Sequence, residues 1–592
     1  MPFGIFGKRN GAPADSGRTL WRAIAGFDRR RWLYLPRLYS KREKIALMAI
    51  AALGFASFIV LAVRLTHRFT VAVPAVGGVL REGALAEPRF INPLYPSNDT
   101  DRDLSRLVFS RLISYDRAGQ VTMDLAEAVE TDPDGRVYTV RLHGGVEWHD
   151  GEPFTADDVI FTIKAIQDPE YKSPLRPNWQ GVGVEKLDER TVRFTLRQPY
   201  APFIENLAVG IIPEHLWRKI PRESAILSDL NLKPVGTGPY RFEKFTRREE
   251  GTITSVTLVR NRRYHLEGPY LREISFSFYP SEEKLVAAYR RNDIDSFLLS
   301  SAARANEVRE LDLNLHELKL PKIFAVFLNA NAKPALGRAK VRQALALAVD
   351  REAILAEILA GGGTIVNSAL PPSSFGADAD LPSLPYDPAR ARELLAQDGW
   401  SDGDDDGLLE RTEGSGKNRT TQKLELRLVT SDVPELAAAA ERIVAAWQAI
   451  GVRAESKAIA VNDLEATLIR PRAYEALLFG EVSGHDPDPF AFWHTSQLKD
   501  PGLNIALYSN RAVDELLESA RRTPDDRARA EKYREFQRIV RDELAAIFLW
   551  SPHQFYATRK KIQGAEVGVM ALPEERFNEV NRWYADTQRT LK

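Results

Sequence analysis

The segment at residues 148–162, with the sequence WHDGEPFTADDVIFT, constrains the fold most, because it joins a tight turn to a well-marked helix start. Asp150-Gly151 is a turn dipeptide in which the glycine is free to take a positive φ. Thr155 can cap a helix, and Asp158 answers it three residues later as a capping box does. Apolar side chains suited to burial follow at Val159, Phe161, Ile163 and Ile166. The segment predicts a strand, a tight loop and a capped helix.

Strand-like and helix-like segments alternate through the rest of the chain from Val79 onward. Apolar and polar residues alternate as in half-buried strands at 137–142, 191–196 and 424–429, and the apolar run 546–550 predicts a buried strand. Helices are predicted at 338–359, Pro388–Gln397, 437–450 and 511–543. Such mixing over about 500 residues indicates an α/β or α+β protein with more than one lobe.

An apolar run at residues 45–63 contains 19 residues without a charge. At about 1.5 Å per residue it nearly spans a hydrocarbon core of about 30 Å. Basic residues are concentrated before it, so the positive-inside rule places the N-terminus in the cytoplasm and the large domain outside. A signal peptide cleaved after Ala75 and a buried core helix are the alternatives to an uncleaved membrane anchor.

Charge and cysteine content exclude several classes of function. Residues 1–68 hold 13 Lys/Arg and three acids, so the remaining 68 basic and 78 acidic residues carry a net charge of −10. A body of that charge repels nucleic-acid phosphates. The chain has no cysteine, which excludes disulfides, thiolate metal sites, a cysteine nucleophile and a lipid-modified N-terminal cysteine.

Residues 148–162 also resemble a segment of the family 5 extracytoplasmic solute-binding proteins, the peptide-binding subunits of ABC importers. Similar segments follow in the same order at 233–242 (KPVGTGPYRF), 329–352, 386–400 and 504–515. The resemblance implies a periplasmic-binding-protein-like α/β fold of type II, with two lobes that close over a ligand and an extra domain. It implies binding rather than catalysis, and neither a Gly-x-Ser-x-Gly nor a His-Glu-x-x-His motif is present.

The predicted organisation combines this resemblance with the membrane anchor. It consists of a basic cytoplasmic segment (1–44), a transmembrane anchor (45–65), a stalk (66–78), lobe I (79–112, 233–325 and 546–592), an extra domain (113–232) and lobe II (326–545).

The acidic loop at residues 480–493 is the predicted peptide site. In dipeptide-binding relatives the matching Asp-Pro-Asp loop carries an amine-binding aspartate just upstream, but alignment on Asp486 puts Ser483 there. Glu481 or Asp486 is therefore predicted to hold the peptide amine, with Trp493 lining a side-chain pocket. The alternatives are a turn with solvated acids and a core tryptophan. A nickel complex bound through the loop's two histidines, His485 and His494, is a weaker alternative.

Two further predictions concern Glu87 and an acidic loop. Glu87 stands where relatives bring the end of the first strand to the cleft, although a structural loop is the alternative. The second prediction is a structural calcium site, because one set of residues matches the pattern D-x-D-x-D-G-x5-E. Its ligands would be Asp402, Asp404, Asp406, the carbonyl of Leu408, and Glu413. The helix that normally follows such a calcium loop is not expected here, because Gly-Ser-Gly stands at 414–416. The alternative is a solvated acidic turn.

The sequence therefore predicts a membrane-anchored receptor that captures oligopeptides outside the cell and delivers them to an ABC transporter permease. It is expected to be a monomer, to bind no nucleic acid and to require no cofactor apart from the possible Ca²⁺. A receptor of the same fold for a metal chelate or a sugar, or one that senses peptides, is the alternative.

Overall fold

The computed structural model describes residues 40–413 and 420–591 and divides the chain into two compact units, with boundaries after Val73 and Asp586. In the first unit, the apolar run forms the helix Lys41–Phe69, which begins with a capping box between Ser40 and Glu43. By length and composition this helix can cross a membrane. Residues 66–78, predicted as an irregular stalk, are instead regular. The helix continues to Phe69, and the strand Thr70–Ala75 pairs with Asp586–Leu591.

The second unit is built around a sheet of twelve strands. Its order from edge to edge is Arg453–Ile459, Glu425–Ser431, Ala476–Val482, Lys322–Leu328, Ala546–Arg559, Ser296–Leu299, Gly77–Leu85, Leu271–Tyr279, Ile253–Arg260 and Tyr240–Arg247. The two remaining strands, Leu313–Lys319 and Gly363–Ile365, also pair with Ala546–Arg559.

The strand Ala546–Arg559 is shared by both lobes. Its first residues pair with the lobe II strand Lys322–Leu328, as in the pair Phe327 and Ala546. Its last residues pair with Ser296–Leu299 of lobe I. The prediction assigns all of 546–592 to lobe I, but the first residues of this strand belong to the sheet of lobe II as well. The exact lobe boundaries stay a prediction.

A separate antiparallel sheet lies within the predicted extra domain, with the strand order Ala126–Thr131, Val137–Leu142, Thr191–Thr195 and Gly183–Asp188. Beside it lies the helix Ala156–Gln167, which begins with the predicted capping box. Gly151 has the expected positive φ, at 96°.

The strand predicted before this turn is wrong. Residues 146–148 form only an isolated bridge between Glu147 and Pro153. The reason is that the backbone beyond them bonds to the glycine-rich turn instead, where the N–H of His149 donates to the carbonyl of Gly236.

Two predicted helices are interrupted. The helix predicted at 338–359 is divided into Ala339–Leu347 and Arg351–Glu357, because Asp350 caps the second piece by accepting from the N–H of Ala353 at 2.9 Å. The helix predicted at 511–543 is likewise divided. Pro388–Gln397 is confirmed. The other α-helices in the described part of the chain are Asp99–Val108, Arg176–Trp179, Glu214–Trp217, Glu282–Arg290, Ala302–Val308, Pro434–Gln448, Val461–Leu464, Phe490–Trp493, Arg511–Arg521 and Asp526–Asp542. The short strands Ile113–Tyr115, Val121–Met123, Glu410–Glu413 and Thr420–Lys423 complete the set.

The central strands of lobe II are buried on both faces. In Lys322–Leu328, Phe324 and Val326 face one apolar core, whereas Ile323 and Phe327 face another. The neighbouring strand ends at Val482, where the side chain is exposed. The loop that follows is therefore held at the end of a rigid, doubly covered sheet.

Candidate functional site

The loop at residues 483–488, which follows the strand Ala476–Val482, connects the two lobes and the extra domain. The ring of His485 stacks on Tyr115 with ring centroids 3.7 Å apart, and its Nε2 lies 3.0 Å from Glu575 of lobe I. The backbone N–H of Asp486 donates to Glu205 of the extra domain. These contacts hold the loop against the far side of a cleft.

The two acids of this loop are engaged by neighbouring helices. Asp486 lies 3.0 Å from Arg529 and accepts a hydrogen bond from the Tyr533 hydroxyl at 3.0 Å. Asp488 binds Arg521 at 2.6 Å and the Tyr200 hydroxyl at 3.0 Å. The amine-binding role of Asp486 stays a prediction, and its carboxylate is already engaged by an arginine.

Glu481 and Trp493 lie together below the loop. Trp493 is 1% exposed and packs against Phe327, Phe536 and Phe548, so its position supports the core alternative over a ligand pocket. Burial raises the pKa of Glu481 to about 8, although a hydrogen bond with the Trp493 side chain opposes the rise. Within the described part of the chain, one carboxylate oxygen of Glu481 is buried without a partner. Their ligand roles stay predictions.

Glu87 lies in a structural contact. Its carboxylate accepts a hydrogen bond of 2.6 Å from the backbone N–H of Ile253, at the start of a lobe I strand. This contact supports the structural alternative, and the ligand role of Glu87 stays a prediction.

A cavity of about 460 Å³ lies where lobe I, the extra domain and the 483–488 loop meet. Its charged and aromatic lining includes Arg102, Arg111, Tyr115, Glu205, Trp179, His485, Glu574 and Glu575. We call it the acidic cavity because three carboxylates line it.

Burial governs the electrostatics of the acidic cavity. It raises the pKa of Glu205 to about 8 and also raises the pKa of Glu574. It would do the same for Glu575, but a hydrogen bond and a favourable electrostatic interaction with His485 outweigh burial and lower the pKa of Glu575. Burial lowers the pKa of Arg111 to about 10. One oxygen of Glu574 is buried with no hydrogen-bond partner among the residues described. A cationic ligand group could donate the hydrogen bond that this oxygen lacks.

A second cavity, of about 550 Å³, has different chemistry. Its lining is largely apolar and includes Leu320, Phe324, Leu359, Val433, Phe479 and Trp550. Lys322 supplies a positive charge there, with its Nζ 4.9 Å from the centroid of the Phe324 ring. Burial lowers the pKa of Lys322. We call this the apolar cavity, and Val482 lines both it and the acidic cavity.

The predicted calcium loop has part of its expected geometry. Carboxylate oxygens of Asp402, Asp404 and Asp406 lie within 4.8 Å of one another, and all three residues are exposed. Glu413 instead contacts Arg411 and lies 3.5 Å from Arg338. Leu408 is fully buried. The missing second helix concerned residues 414–416, which lie outside the described residues. Calcium binding stays a prediction.

Sequence reasoning found the 483–488 loop but not the carboxylates opposite it. Glu205 and the pair Glu574-Glu575 lie about 280 and 90 positions away along the chain. Composition could have identified them as candidates, because these acids lie within mainly apolar segments. Glu205 lies in APFIENLAV, and Glu574 and Glu575 lie in MALPEERF.

Comparisons with known proteins identify the family of this chain. The model of the "Bacterial extracellular solute-binding proteins, family 5 Middle" matches residues 120–502. The oligopeptide-binding protein AppA of Bacillus subtilis is 26% identical over 92% of this chain and 99% of its own length. Its structure with a nonapeptide superposes with a TM-score of 0.70 at 25% identity, over 86% of this chain and 99% of that one.

A solved relative with a different ligand is equally similar. NikZ of Campylobacter jejuni, in complex with Ni(L-His), has a TM-score of 0.70 at 27% identity, over 86% of this chain and 99% of its own. The fold predicted from the sequence, a two-lobed α/β binding protein, is thereby confirmed. The chain belongs to family 5 of the bacterial extracellular solute-binding proteins, a family of binding proteins rather than enzymes.

Proposed function

We propose that this protein is a membrane-anchored receptor that captures oligopeptides outside the cytoplasm and delivers them to an ABC transporter permease. The observation that carries the proposal is the pair of cavities of opposite chemistry on either side of Val482. A peptide has a cationic amine, a row of backbone groups and an anionic carboxylate. The acidic cavity suits the amine, and the apolar cavity suits side chains and, through Lys322, the carboxylate.

Two further observations support the proposal. The oligopeptide-binding protein AppA, named above, matches 92% of this chain in sequence, and its structure with a nonapeptide matches 86%. The helix Lys41–Phe69 is long and apolar enough for an anchor, and a short tether would raise the receptor's effective concentration at a permease.

A metal chelate is the second candidate ligand. It is favoured by His485, which lines the acidic cavity beside three carboxylates, and by the nickel–histidine complex bound to NikZ. Imidazole and carboxylate are both ligands for nickel, so the chemistry of the cavity permits such a complex.

Native mass spectrometry of the fragment 69–592, purified without denaturation, tests the proposal. A mixture of short peptides, identified by release and sequencing, is the expected result. A single non-peptide mass or a nickel complex would transfer the function to the second candidate. Peptide cleavage by the pure fragment would contradict the binding role itself.

A variant locates the ligand amine. We expect E574Q to weaken binding of a bound peptide at least tenfold, because it removes the buried carboxylate that has an unpartnered oxygen. E531Q is the matched control, since Glu531 is exposed and pairs with Arg534 on an outer helix. Equal affinities for both variants would remove Glu574 from the site.

A further inference from the structure

A groove of about 610 Å³ lies on lobe I, apart from both ligand cavities. Five arginines line it: Arg241, Arg260, Arg262, Arg263 and Arg272. Three adjacent strands supply the groove, because Val259 pairs with Arg241 on one side and with Glu273 on the other. The wall opposite is the turn at residues 148–151.

The turn after the middle strand is fixed in place. The side-chain amide of Asn261 donates to the carbonyl of Gly238 at 3.0 Å, and its oxygen accepts from the N–H of Arg263 at 2.9 Å. Arg262 and Arg263 are therefore presented by an ordered turn.

Most of the acids near the groove are already paired. Glu243 lies 3.3 Å from Arg241, and Asp150 lies 2.8 Å from His215. Arg263 is paired with Glu147 at 2.5 Å. Glu273 is the one remaining acid of the lining.

Three arginines are left without a counterion. Among the described residues, no carboxylate lies within 4.0 Å of Arg260, Arg262 or Arg272, and the Nε of Arg260 is buried with no hydrogen-bond partner. This concentration of positive charge occurs in a body whose net charge from residue 69 onward is −10, so general surface charge does not account for it.

The histidine in the groove wall adds no positive charge at neutral pH. Burial lowers the pKa of His149 to about 4. Its Nδ1 accepts from the N–H of Gly236 at 3.2 Å, and its Nε2 donates to the carbonyl of Gly238 at 3.0 Å. The anion affinity of the groove therefore depends on the arginines alone.

We propose that this groove binds a phosphate group. The planar fork of guanidinium donors matches phosphate oxygens, and a phosphate anion would reduce the repulsion between the arginines. The phosphate can belong to an anionic lipid headgroup or to a free phosphate. Val76, in the groove lining, follows Phe69, the end of the apolar helix, by seven residues. The lipid source rests on the proposed membrane anchor, whereas the free source does not.

The test uses the fragment 69–592. Residues 74–586 form a compact unit with its own cores, and the solved relative AppA matches 86% of this chain over 99% of its own length. Calorimetry with inorganic phosphate measures the free source. Co-sedimentation with phosphatidylcholine vesicles, with and without phosphatidylglycerol, measures the lipid source. The triple variant R260Q/R262Q/R272Q is compared with R390Q/R427Q/R442Q, which makes the same charge change at exposed positions on lobe II.

We expect the groove variant to lose at least tenfold in affinity for inorganic phosphate or for anionic vesicles, while the control keeps wild-type affinity. Loss confined to vesicles identifies the lipid headgroup, and loss with inorganic phosphate identifies the free anion. No binding by the wild type in either assay, or equal losses in both variants, would overturn the proposal. Peptide binding measured on the same samples reports separately on the proposed receptor function.

Discussion

At the residue scale, three carboxylates line the acidic cavity, and they differ in their hydrogen-bond partners. Glu575 stays ionised beside His485. Glu205 accepts the N–H of Asp486, but burial still raises its pKa to about 8. We therefore expect closure of the lobes over this cavity to change the protonation of Glu205, because in an open, solvated cleft its pKa should return to the ordinary value of about 4.3.

The closed form should consequently become less stable relative to the open form as the pH rises. Between the ordinary pKa of Glu205 and about 8, closure takes up a proton, so each pH unit disfavours the ligand-free closed form by up to about tenfold. We expect E205Q, which mimics the protonated acid, to lose this dependence. Distances between spin labels on the two lobes, recorded from pH 6 to 9, measure it. Identical pH profiles for E205Q and the wild type would contradict the assignment.

The calcium loop is a second prediction at this scale. Because Glu413 is engaged by arginines, the clustered carboxylates among the described residues are those of Asp402, Asp404 and Asp406, all of them exposed. We therefore expect weak binding, with a Kd of about 10⁻⁴ to 10⁻³ M. A calcium-dependent rise in Tm that is absent in D404N would support the site. Equal responses of both proteins to Ca²⁺ and Mg²⁺ would exclude it.

Individual site residues were only partly predictable. The Asp-Pro-Asp pattern located the loop, because a turn signal is local in sequence. The sequence could not show that Asp486 pairs with Arg529, or that Glu205 and Glu575 lie opposite the loop, because those contacts depend on how distant segments pack.

At the element scale, the capping box was predictable because all its atoms lie within four residues. The N–H of Thr155 donates to Asp158 at 2.9 Å, and the Thr155 hydroxyl accepts from the N–H of Asp157 at 3.3 Å. The division of the 338–359 helix at Asp350 could also have been predicted from local sequence, since aspartate is a favourable N-cap residue. It was not predicted, because the apolar residues continue at helical spacing through the whole of 338–359. The absence of a strand at 146–148 could not be predicted from nearby residues, because the backbone that follows bonds to the distant turn at Gly236.

The cap predicts a specific loss of stability. T155A removes the hydroxyl acceptor at the start of the helix Ala156–Gln167 and should cost about 1 kcal/mol in the free energy of unfolding. T155S keeps the acceptor and should cost much less. Urea titration followed by circular dichroism measures both variants. A T155A protein as stable as T155S would show that packing, and not the cap, fixes this helix start.

At the scale of the whole molecule, two features connect the lobes. The strand Ala546–Arg559 pairs with both lobe sheets and gives a continuous backbone connection. The 483–488 loop provides the side-chain contacts across the cleft, through Tyr115, Glu205 and Glu575. A strand shared by both lobes, together with side-chain contacts that can separate, is compatible with hinged closure. The family resemblance predicted lobe closure, but the contacts that hold the closed form came only from the structure.

His485 is the residue on which closure should depend most. H485A removes the stack on Tyr115 and leaves the buried Glu575 carboxylate without its imidazole partner, which costs about 1–3 kcal/mol or more for a charged group. We expect the ligand-free variant to shift to an open form, with a larger radius of gyration in small-angle X-ray scattering and weaker peptide binding. H494A is the matched control, because His494 is equally buried but stacks on Phe490 within lobe II. It should lower Tm without changing the radius of gyration. An H485A protein with the wild-type radius would show that the shared strand, rather than the loop, determines closure.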